Sequence, residues 1–171
     1  MMRTILAAAF VAGSVIPPLY AETKEAEIKL RDLDLSGRSV SGEQLTLTAS
    51  FDVKEARIYD EVVFDFYLLL TPRDADVKPQ LFHCRTVHRY LNRKSGYKSG
   101  VVLDAAAVDG INPREEKYAV VATYKGKEVA VENSEKDRWW EDAALGDPVE
   151  NMLRRVAEVP IVREWESVRQ D

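Results

Sequence analysis

The groups in this chain able to do chemistry together are few and lie close in sequence. Both histidines and the single cysteine fall in His83-Cys84-Arg85-Thr86-Val87-His88, a run whose composition suits a metal site. Its spacing does not. On a strand, residues 83 and 84 face opposite ways, as do 83 and 88; Cys84 and His88 share a face but stand about 13 Å apart, too far to share one zinc ion. The expectation is a packed free thiol with two histidines at the surface or rim, and neither metal nor cofactor. A serine nucleophile fares no better, since Gly96-Tyr97-Lys98-Ser99-Gly100 places the serine one position late for a nucleophile elbow. Phosphate-binding glycine loops, zinc-protease helices and calcium loops do not occur. Asp32 and Asp34 share a strand face and have the types needed for acid–base work, yet among 29 acidic residues such pairs arise by chance on a solvated surface. A small hydrolase is therefore the last of the readings.

Recognition is the chemistry left. Between Asp76 and Asp104 no acidic residue occurs, while Lys78, Arg85, Arg89, Arg93, Lys94 and Lys98 supply six positive charges interleaved with Phe82, Tyr90 and Tyr97. On a chain of net charge −5 this strip is a candidate anion-binding surface, with Arg85, Arg89, Lys94 and Lys98 as its binding residues. Its ligand would be an acidic glycan, a phosphate-bearing headgroup or an acidic partner. The competing reading pairs the arginines with carboxylates on neighbouring strands. A second candidate is Trp139-Trp140 as a stacking platform for sugars; adjacent indoles on a helix point about 100° apart, so one packs while the other faces out. The acidic balance gives no case for nucleic acid.

These residues must be positioned by strands. From Ile28 to Asn133 the apolar period is two. In Glu43 to Val53, residues Leu45, Leu47, Ala49, Phe51 and Val53 point one way, and Thr46, Thr48, Ser50 and Asp52 the other. Val62 to Thr71 is apolar on both faces, which marks a central strand. Leu81 to Leu91 places Phe82 and Cys84 inward and His83, Arg85, Val87 and Arg89 outward. Ile28 to Leu35, Tyr97 to Leu103, Tyr118 to Tyr124 and Glu128 to Glu132 complete seven strands, the last two joined by a glycine turn. The first changes face between Leu30 and Leu33, as a β-bulge would cause. Phe51, Phe64, Phe66, Leu68 and Val120 are the expected core.

Seven strands in about 110 residues has the size and spacing of an immunoglobulin-like or fibronectin type III-like antiparallel sandwich. Tyr118 and Val120 suit the tyrosine corner and second-cysteine positions of that fold, whereas the third strand has Phe64-Asp65-Phe66-Tyr67 where a tryptophan is expected. After Asn133 the period changes. Asp147-Pro148-Val149-Glu150 reads as a helix start, and Val149, Met152, Leu153, Val156 and Val159 form an amphipathic stripe that Pro160 ends.

The opening 21 residues have a short basic start at Arg3, an uncharged stretch from Ile5 to Ile16, a Pro17-Pro18 break and a small residue at Ala21. That is the layout of a signal peptide, and the apolar stretch is too short for a membrane span. The organisation expected is thus a signal peptide over 1–21, a β-sandwich over 22–133 and a helical extension over 134–171 packed on it. The length of 171 residues, 46% hydrophobic and 31% charged, accommodates one globular domain, and one cysteine excludes an internal disulfide. The resulting reading is a secreted or periplasmic, non-catalytic structural or binding module. Its partner would be an envelope or extracellular protein or an acidic glycan, with no membrane span after signal cleavage.

Overall fold

The apolar period of two over residues 28–133 becomes seven antiparallel strands, and the computed structural model, which describes residues 27–37, 44–55, 57–149 and 151–156, adds an eighth. In chain order the elements are β1 (Ile28–Ser36), β2 (Leu45–Val53), β3 (Tyr59–Pro72), β4 (Gln80–Leu91), β5 (Lys94–Leu103), α1 (Ala105–Ile111), β6 (Pro113–Tyr124), β7 (Lys127–Asn133) and β8 (Leu153–Arg155). Two four-stranded sheets result, ordered β1-β2-β5-β8 and β4-β3-β6-β7. All neighbouring strands within each sheet are antiparallel. The protein is an all-β sandwich.

The core lies between the sheets. Leu45, Leu47, Ala49, Phe51 and Val53 of β2 meet Val62, Phe64, Phe66, Leu68 and Leu70 of β3, all buried, with Val120 and Ala122 of β6 beside them. The rings of Phe51 and Phe64 meet across the interface at 4.6 Å. Each of the five expected core residues is buried. Strand β3 pairs on both sides, with β4 and β6, as a central strand; on its outer face Leu69 is buried while Val63 and Tyr67 are half-buried.

Face changes have local causes. The register of β1 against β2 shifts between Leu30 and Asp32, so Arg31 sits in a bulge and reaches the Asp52 carboxylate. Asp52 is 1% exposed although its strand parity points it outward, because Arg31, Lys54 and the Gly96 backbone N–H surround it. The Arg31 hydrogen bonds first, then Lys54, hold its carboxyl well below the ordinary carboxylate range.

The chain after Asn133 departs from the helical expectation. Residues Trp139–Glu141 and Ala143–Leu145 form single 3₁₀ turns, and of the stripe expected to be helical Val149 makes an isolated bridge and Leu153 lies in a three-residue strand. The Val149 N–H donates to the Leu81 carbonyl at 2.7 Å, Asn151 takes a left-handed φ of 63°, and Leu153–Arg155 pairs with Val101–Leu103. The sandwich supplies the reason: β4 and β5 are edge strands with unmet backbone groups, and pairing satisfies them while burying Leu153. Met152 stays exposed. The expected signal peptide and Val159 lie outside the described residues.

Candidate functional site

The outer face of the β4-β3-β6-β7 sheet carries most of the residues singled out by sequence. Asp65 of β3 is 6% exposed and is opposite Arg85 of β4 in the strand register. Arg85 grips its carboxylate with Nε to Oδ1 at 2.8 Å and Nη2 to Oδ2 at 3.2 Å, and His83 Nε2 lies 2.8 Å from Oδ1. Burial pushes the Asp65 carboxyl up, but the His83 and Arg85 hydrogen bonds outweigh it and leave it below the ordinary range. Tyr67, two residues on along the same face, stacks on His83 at 4.9 Å and on Trp140 at 5.9 Å. An unbroken row thus runs Trp140, Tyr67, His83, Asp65, Arg85.

Trp140 is 7% exposed, packed on Ala119, Val121 and Tyr67 with Arg138 over its ring and Trp139 against its edge. The tryptophan pair therefore covers this sheet face as an internal lid, and Trp140 presents no open platform. Arg138 is itself clamped by Glu128 and Glu141. Arg89 stands 3.6 Å from Glu61. For Arg85 and Arg89 the competing expectation of cross-strand pairing describes the structure.

Lys94 and Lys98 belong elsewhere, on β5 in the opposite sheet. Lys94 lies over the Tyr97 ring, and Lys98 borders a cleft of about 620 Å³. This cleft occupies the open side of the sandwich, where β5 extends beyond the end of β8 and faces β4. Four hydroxyl-bearing residues line it, Thr46, Thr48, Thr86 and Ser99, together with His88, Lys98 and Arg155. Among the described residues its lining contains no carboxylate. Thr86 and Ser99 share a buried hydrogen bond at 2.8 Å, which ties β4 to β5 across the gap. Gly100 leaves room at the cleft floor: an added Cβ would come within 3.1 Å of Val156 and 3.3 Å of the Leu47 carbonyl oxygen.

His88 turns inward from the rim, edge-on to Phe51 at 5.7 Å and Phe64 at 5.3 Å. Burial pushes its pKa down, so the ring entering the cleft is neutral at pH 7. His83 lies on the opposite face of β4, as strand geometry demands. Cys84 points inward and packs against the core, partly buried. Among the described residues no three His, Cys, Asp or Glu side chains cluster as metal ligands would. Sequence reasoning found Lys98 but not the cleft. Arg155 and the hydroxyls went unnoticed because β8 was read as helix and alternating threonines look like any solvated strand face.

No protein-family model matches the chain, and no curated protein is significantly similar to it. Its fold is shared with a crystal structure from Akkermansia muciniphila, at a TM-score of 0.67 and 19% sequence identity, covering 80% of this chain and 86% of that one. At that identity the likeness is one of fold.

Proposed function

We propose that the protein is an exported, non-catalytic β-sandwich binding module that takes an extended anionic ligand, such as an acidic glycan, in the cleft between β4 and β5. The observation that carries this reading is the cleft's composition: four hydroxyls, Lys98 and Arg155 beside Val87, Gly100 and Val156, with no carboxylate among the described residues that line it. Hydroxyls donate hydrogen bonds to ring or carboxylate oxygens, and Lys98 supplies charge without an ion-pair partner among the described residues. The opening 21 residues support export. The crossings between sheets at β2 to β3 and β4 to β5 support the immunoglobulin- or fibronectin-like reading of the sandwich.

Binding to an acidic polysaccharide tests the proposal. Lys98→Ala should weaken it severalfold at low salt, and raising salt from about 0.1 M to about 1 M should abolish it, since the Debye length falls from about 10 Å to about 3 Å. Arg85→Ala should change affinity little, because Asp65 already holds that guanidinium. Equal binding by the Lys98→Ala protein would overturn the assignment.

A further inference from the structure

The penultimate residue of β4 is costly in both backbone and side chain. Tyr90 has φ = 57°, the left-handed region that bulky residues avoid, and its side chain is 76% exposed. The twist has a packing role. Up to His88 the even positions of β4 face the core, and beyond Tyr90 it is Leu91 that is buried, opposite Tyr59. A glycine would make this change of face without strain. The tyrosine ring is thus presented to solvent at the expense of backbone comfort, and it has no hydrogen bond or ring contact among the described residues. Ile58, 66% exposed, precedes β3 at the same end, since Tyr59 pairs with Leu91.

The surroundings of this apolar pair are cationic. Arg93 and Lys94 follow at the β4–β5 crossing, and Lys125 and Lys127 flank the β6–β7 turn at the same end of the sandwich. None of these four lies within ion-pair distance of a carboxylate among the described residues. Of the described acids nearby, Glu55 is paired with Arg57, Glu61 with Arg89, Asp52 with Arg31 and Lys54, and Glu128 with Arg138; Glu27 and Asp60, whose hydrogen bond from the Tyr124 hydroxyl leaves its charge in place, remain against the four cations.

We propose that this end of the sandwich docks on an anionic lipid surface, with Tyr90 and Ile58 entering the headgroup region and Arg93, Lys94, Lys125 and Lys127 meeting lipid phosphates. A tyrosine suits that depth, having an apolar body and a polar tip, and basic side chains beside it gain from the negative surface potential. This surface is separate from the β4–β5 cleft.

The test is sedimentation with vesicles of phosphatidylcholine plus phosphatidylglycerol, against vesicles of phosphatidylcholine alone. The protein should bind the mixed vesicles only, and each of Arg93→Ser, Lys94→Ser and Lys125→Ser should weaken binding about fivefold. Tyr90→Gly separates surface from fold: it relieves the backbone, so its melting temperature should equal or exceed that of the parent, while vesicle binding falls, further still with Ile58→Ser. Lys98→Ala should leave vesicle binding intact. Undiminished binding by Tyr90→Gly/Ile58→Ser, no binding to the mixed vesicles, or a matching loss of acidic polysaccharide binding by that double variant would each overturn the proposal.

Discussion

At the scale of single residues, the core separates volume from charge. Phe66 is wholly enclosed between the sheets, and Phe66→Ala should cost about 3–5 kcal/mol in chemical denaturation, a large part of the stability of a domain this size. His88 adds a pH signature. Its folded-state pKa lies below the ordinary 6.5, so as pH falls through that value the unfolded chain takes up a proton before the folded one, and stability declines. Urea midpoints measured downward from pH 7 should fall in this window for the parent and stay flatter for His88→Phe. Asp52 and Asp65 act in a lower window, because their depressed pKa values give stability that is lost only as pH drops below the ordinary 3.8. The core residues were legible in the sequence because alternation reports burial directly, and the opposite faces of His83 and His88 followed from the same parity. The row from Trp140 to Arg85 was not legible. It joins residues from three segments, and only the sheet register and the 3₁₀ turn bring them together.

At the scale of elements, β8 is the informative case. A stripe at helical spacing predicted a helix, yet Leu153 and Val149 serve as anchors on two different strand edges. Amphipathic spacing states which residues want burial; the available surface decides the backbone that delivers it. Leu153→Ala should cost about 2 kcal/mol, the low end for a buried leucine because it packs at an edge. Amide exchange should then accelerate first in Val101–Leu103, the residues that β8 covers. Helix α1 escaped notice for a related reason. It is seven residues long with no side-chain cap bond at Asp104, whose carboxylate pairs with Arg154 instead, and it closes on a left-handed Asn112. Such a short helix leaves too few periods to read. The β1 bulge, by contrast, showed itself as a change of parity within four residues.

At the scale of the whole molecule, sheet membership was the part hidden from the sequence. Seven strands were countable, but that β4 and β5 belong to different sheets follows from pairing across distance, and this separation splits the basic strip. Arg85 and Arg89 lie on one sheet beside carboxylates, and Lys94 and Lys98 on the other at the open side. Beyond the reach of β8, residues 94–100 of β5 have backbone groups unmatched on one side among the described residues. An uncovered strand edge is a template onto which another copy's strand can add, the first step of ordered aggregation. Lysines spaced along such an edge repel an incoming like-charged strand. Replacing Lys94 and Lys98 together by valine should turn this edge into a seed, giving concentration-dependent oligomers in sedimentation and a shortened lag in dye-detected fibre growth. The two lysines thus guard the open side of the sandwich by repulsion, whatever the ligand concentration.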